Sequence, residues 1–191
     1  MNNFKLNNLK QNGRAYLESR YRSSRYSLLL LIIFTAVNLI LLVSKSYTYF
    51  LFSATIPYVL TDYGMFFTGM YDPEYYQYIE ITEFLDPSVF VFMLSVAILI
   101  LALYFLCWLL SSKMRKGWLV TALVFFAADT LAMIWFYGIS VDIIMDILFH
   151  VWVIVDLSRG IYAAVKLKKL PVEEEEAANA EELPELPKDV E

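Results

Sequence analysis

The chain has 191 residues, of which 59% are hydrophobic and only 18% charged, against about 25% charged in an average soluble domain. The net charge of -5 comes from its end: Pro171 onward holds nine acidic residues and one Lys, leaving 14 basic against 11 acidic residues in the rest. This length fits one small bundle with two tails, the single Cys107 excludes an intramolecular disulfide, and the lack of a basic surface with interleaved aromatics excludes nucleic acid as a partner.

In chain order, residues 1–26 form a basic segment. Arg14, Glu18 and Arg22 fall at four-residue steps with Leu17 and Tyr21 on a neighbouring face, the pattern of an interfacial helix lying against anionic lipid. Four apolar runs follow within 27–170: Ser27–Val43, Ser88–Leu110, Trp118–Tyr137 and Val141–Tyr162. Each is close to or above the roughly 18 residues that cross a hydrocarbon layer. Lys and Arg count six before the first run, one between the first two, three in Ser111–Gly117, none in Gly138–Ser140 and four from Arg159 to Lys169. That alternation predicts four spans with both termini cytoplasmic. The first run lacks a cleavage signature and is read as an anchor. Residues 171–191 read as a disordered acidic tail.

Tyr47–Met70 is also apolar, but a fifth span would put Lys113, Arg115 and Lys116 on the wrong side. Pro57 and Gly64 interrupt a helix there. The expectation is a broken helix, interfacial or re-entrant at the outer face, with its many aromatics forming a belt or a lid. Asp72-Pro73-Glu74 is a helix start. It predicts a short outer helix to Leu85 with Glu80 and Glu83 on one face, which is a solvated face or a weak cation site. Asp86-Pro87 repeats the start signal for the second span.

Candidate functional residues lie in the last two spans. At 1.5 Å per residue Asp129 lies about 16 Å from Trp118 and His150 about 15 Å from Ser140, so an antiparallel hairpin brings both near the midplane. Asn38 reaches that level in the first span and Ser95 falls close in the second. Asp142, Asp146, His150 and Asp156 share one helical face. Asp142 suits a helix start, and Asp156 suits an ion pair with Arg159. Asp129, Asp146, His150 and Asn38 remain as a polar site, either interhelical glue or an ion, proton or metal site.

Specific chemistries fit poorly. One His cannot supply the paired axial ligands of a membrane b-type cytochrome, and one Cys cannot serve a thiol oxidoreductase of the vitamin K epoxide reductase type. No H-E-x-x-H spacing supports zinc, so no metal or cofactor is expected. Phe125-Phe126-Ala127-Ala128-Asp129 resembles the F-N-x-A-D segment of lipoprotein signal peptidase, but Phe126 stands in place of Asn and a second Asp is missing. Small multidrug transporters use a Glu in their first span, and Ser27–Val43 has none. Phe149-His150-Val151-Trp152-Val153, Arg159-Gly160 and Lys166–Pro171, with Ser53–Tyr58 and Gly64-Met65, are similar to small uncharacterised bacterial multi-pass membrane proteins. That resemblance implies a bacterial plasma membrane and no activity. The expectation is an all-α, four-helix transmembrane bundle in contact with the lipid bilayer, with a membrane protein or a second copy of the chain as the candidate partner. Its function reads first as an interaction or scaffold-type component, next as a small ion or proton transporter or channel subunit, and third as a membrane hydrolase.

Overall fold

The computed structural model describes residues 2–46, 48–141 and 143–169, with side chains from residue 13 onward. Asp142 and the acidic 171–191 tail lie outside the described residues. Among those described, the chain is all-helical. Its elements are α1 (Asn2–Val43), α2 (Thr55–Phe67), α3 (Pro73–Tyr78), α4 (Ser88–Leu110), α5 (Lys116–Tyr137) and α6 (Ile144–Leu167), with a short 3-10 turn at Ser111–Lys113. Three stretches are long and apolar enough to cross a membrane: Gly13–Val43, Ser88–Lys113 and Lys116–Tyr137. The 24-residue α6 is as long but carries Asp146, His150, Asp156 and Arg159.

The basic N-terminal segment does not form a separate interfacial helix. It is continuous with the first apolar run as one 42-residue helix. No Pro interrupts it, and several of its described polar residues have protein partners. Tyr21 Oη donates to the Ser111 carbonyl at 2.7 Å, and Arg25 donates to the Trp108 carbonyl at 3.1 Å and Ser111 Oγ at 3.0 Å. These bonds satisfy carbonyls at the C-terminus of α4, where a cation also opposes the helix dipole. The expected four-residue steps are present, with Arg14 3.3 Å and Arg22 4.0 Å from Glu18.

α1 packs along α6 through small residues. Ser24 lies against Gly160, and Ser27, Ala163 and Ala164 on the same two helices are also buried. A Cβ at Gly160 would come within 2.5 Å of the Ser24 side chain, so only glycine permits this approach. Small residues are the usual means of close packing where lipid offers no hydrophobic drive. α4 contributes only Ala97, Tyr104 and Cys107 to the buried interior.

Two local expectations are corrected. Gly64 does not interrupt α2; it lies inside the helix and takes Phe90 and Met93 of α4 against its backbone, where a Cβ would lie 3.2–3.3 Å away. The outer helix stops at Tyr78 rather than Leu85. Glu80 adopts a positive φ of 56°, so the chain turns and Glu80 and Glu83 share no helical face. Tyr76, buried beneath this turn, donates to the Phe66 carbonyl at 2.9 Å and closes the C-terminus of α2.

A buried carboxylate at the start of a broken helix

The connection between α5 and α6 is longer than the Gly138–Ser140 turn. Gly138 leaves α5 at a φ of 70°, where a side chain is strained, and α6 starts only at Ile144. Asp129 therefore lies eight residues below Tyr137 and His150 six below Ile144, about 12 Å and 9 Å from the helix ends. Asp129 thus lies close to the middle of α5, and His150 about midway between the start and the middle of α6.

At this level the chain after α1 runs without helix from Thr48 to Ala54, and α2 begins among buried side chains. The first backbone N–H groups of a helix have no partner within it. Here Asp129 provides the partners: Thr55 N–H donates to Oδ2 at 2.8 Å and Ile56 N–H to Oδ1 at 2.7 Å. Asp129 is 1% exposed. The carboxylate of α5 thus caps α2 from outside, where its charge also meets the positive end of the helix dipole. Pro57, in the same first turn, has no N–H to satisfy.

The non-helical stretch is held by α1. Asn38 donates to the Phe50 carbonyl at 2.7 Å and to Ser53 Oγ at 2.8 Å, and its Oδ1 accepts from Phe50 N–H at 2.9 Å. Thr35 Oγ1 accepts from Ala54 N–H at 2.8 Å while donating to its own helix at Leu31. Asn38 therefore joins the same segment as Asp129 without being its partner.

His150 is 1% exposed and stacks on Phe126, with ring centroids 4.8 Å apart and 9° between planes. Its Nδ1 donates to the Asp146 carbonyl at 2.8 Å, since a carbonyl can only accept. Nε2 lies 3.4 Å from Asp129 Oδ2 and 3.5 Å from Thr55 Oγ1. The two residues meet, as the hairpin count predicts, but the shortest bonds to Asp129 come from backbone amides.

The Asp146 carboxylate is not part of this cluster. It lines a cavity of about 200 Å³ with Tyr49, Thr55, Tyr58, Met133 and Tyr137, and its Oδ1 has no hydrogen-bond partner among the described residues. Ser95 is exposed and donates to Val91 of its own helix at 2.7 Å, so α4 adds no polar group here. Asp156 pairs with Arg20 at 3.6 Å and accepts from Ser27 at 2.8 Å. The expected Asp156–Arg159 pair is absent among the described residues, because Asp156 points into the α1–α6 seam and Arg159 is exposed. No group of three or more His, Cys, Asp or Glu side chains among the described residues could hold a metal ion.

The sequence reading missed Thr35, Ser53 and Thr55. Each is a small hydroxyl residue in an apolar run, where bonding within its own helix is the common role. The available signal was that Thr35 and Asn38, three residues apart, face one way. Comparison with protein-family models, curated proteins and solved structures finds no match to this chain.

Proposed function

We propose that the chain is a four-span plasma-membrane protein of bacterial type, with both termini cytoplasmic, that acts as an interaction or scaffold component around a fixed re-entrant segment. In this reading residues 48–67 enter from the outer face and return, with α2 as the rising limb. Lipid-exposed irregular backbone is not tolerated at membrane depth, but backbone buried against polar side chains is. Thr35, Asn38 and Asp129 supply those side chains. The alternation of Lys and Arg across the loops supports the orientation.

The observation that carries the function is the occupancy of Asp129. Both of its oxygens accept backbone N–H groups of α2, and the residue is almost fully enclosed. A carrier group must exchange with water or an ion, and freeing Asp129 would strand two backbone donors. The competing reading, a proton or ion carrier using Asp129 and His150, requires a wet path to them. The adjacent cavity is lined by Thr55 and Asp146 and by neither of that pair. Meanwhile α4 leaves Val91, Phe92, Ile98 and Leu99 exposed, a face for lipid or another membrane protein.

Reconstitution in liposomes holding a pH-sensitive dye tests this directly. The expected result is no proton or cation flux above empty liposomes, whether Asp129 is intact or changed to Asn. A flux that Asp129→Asn abolishes overturns the reading. Orientation is checked by single cysteines in intact cells: Ser111→Cys stays protected from an impermeant thiol reagent and Glu74→Cys reacts. Labelling at position 111 contradicts four spans.

A further inference from the structure

The cavity beside Asp146 has its own chemistry, separate from the Asp129 junction. It lies where α2, α5 and α6 meet, between the Tyr49, Tyr58 and Tyr137 side chains, with Met133 as an apolar wall and Thr55 and Asp146 as polar groups. Tyr49 and Tyr58 stand edge to face with centroids 5.0 Å apart, and the Tyr49 hydroxyl is 3.2 Å from Ser53 Oγ, which fixes that ring. Asp146 is half-buried, and one of its oxygens is buried without a donor among the described residues. A carboxylate in the first turn of α6 is favoured by the helix dipole, but the dipole accounts for neither the enclosing rings nor the missing partner.

A polar oxygen buried without a partner is costly, and such groups are normally paired. No Lys or Arg is available from the surrounding segments, since the sequence has none between Lys45 and Lys113 or between Lys116 and Arg159, and the neighbouring His150 turns its ring nitrogens to the Asp146 carbonyl and to Asp129 instead. The same stretches carry Asp62, Asp72, Glu74, Glu80, Glu83 and Asp86, a field that attracts cations. A hard metal ion is a poor occupant, because it favours several charged or carbonyl oxygens and this site offers a single carboxylate beside neutral Thr and Tyr hydroxyls. Aromatic faces beside a carboxylate instead match a weakly hydrated organic cation, held by the ring quadrupoles and the charge together. A volume of about 200 Å³ holds several waters' worth of space, enough for a small alkylammonium group.

We infer that the cavity formed by Tyr49, Tyr58, Tyr137 and Asp146 binds an alkylammonium group. Two sources carry that chemistry, a free amine such as choline and the headgroup of phosphatidylcholine. The full-length protein in phosphatidylglycerol nanodiscs is titrated calorimetrically with choline, and with 3,3-dimethylbutan-1-ol as its uncharged isostere. In parallel, the protein is released from mixed phosphatidylcholine and phosphatidylglycerol nanodiscs for native mass spectrometry. Choline binding without binding of the alcohol, weakened at least tenfold by Asp146→Asn and by Tyr58→Leu, supports the site with a soluble ligand. Selective retention of phosphatidylcholine, lost in the same two variants, supports it with a lipid ligand. The inference is overturned if wild-type protein binds neither, if it binds the alcohol as well as choline, or if Asp146→Asn binds as wild type does. Asp146 Oδ1 makes no hydrogen bond, so the Asn variant is expected to fold, and its unliganded melting temperature checks this.

Discussion

Two buried carboxylates hold this molecule together in different ways. Asp129 fastens a break: its closest partners are the Thr55 and Ile56 backbone amides, with His150 further off. Asp156 fastens a seam between two continuous helices, and its partners are the Ser27 hydroxyl and Arg20, a side chain still 30% exposed. Loss of the first strands buried donors. Loss of the second leaves a hydroxyl with an alternative bond to Ser23 and an arginine that can turn to water. The α1–α6 seam owes its strength to the fit of Gly160 against Ser24 more than to its ion pair. The irregular buried backbone therefore depends on specific hydrogen bonds, while the regular helix pair depends on shape.

The sharpest way to break this contrast is Asp129→Ala. It leaves the Thr55 and Ile56 amides unpaired and is expected to lower stability by about 4 kcal/mol, given about 1–3 kcal/mol for each buried unsatisfied group. Thermal unfolding in mild detergent reads this. Gly160→Val should follow at about 3 kcal/mol, from overpacking against the Ser24 side chain; a variant as stable as wild type would show that the seam can open freely. Asp156→Asn keeps an acceptor for Ser27 and loses only the Arg20 pair, so about 1 kcal/mol or less is expected. If Asp156→Asn costs as much as Asp129→Ala, the distinction between the two junctions fails. Ser95→Ala removes one exposed bond within α4 and should change stability by less than about 0.5 kcal/mol.

Much of the helical layout is legible in composition and charge. Long apolar runs bounded by charges fall close to the observed α1, α4 and α5, because length and hydrophobicity alone set a helix that can cross a membrane. The meeting of Asp129 with His150 is also legible, since counting outward from the connection of two antiparallel helices places them at similar depth even though the connection is longer than expected. What eludes the sequence is the partner of each group. Asp129 bonds mainly to the main chain of Thr55 and Ile56, and a backbone amide has no letter in the sequence. Asp156 selects Arg20 over Arg159 because distant helices pack there, which spacing within one helix cannot reveal. The continuity of α1 through its basic segment is hidden for a similar reason: Arg25 and Tyr21 look lipid-directed until the end of α4 is placed beside them.

The account stands most directly on the cap that Asp129 provides to α2. Amide hydrogen exchange at Thr55 and Ile56, compared between wild type and Asp129→Ala in the same nanodiscs, measures it. The account predicts slow exchange at both amides in wild type and exchange at least about tenfold faster in the variant, equivalent to about 1.4 kcal/mol, with the Ser88–Leu110 helix unchanged. Equal protection of Thr55 and Ile56 in the two proteins would contradict it.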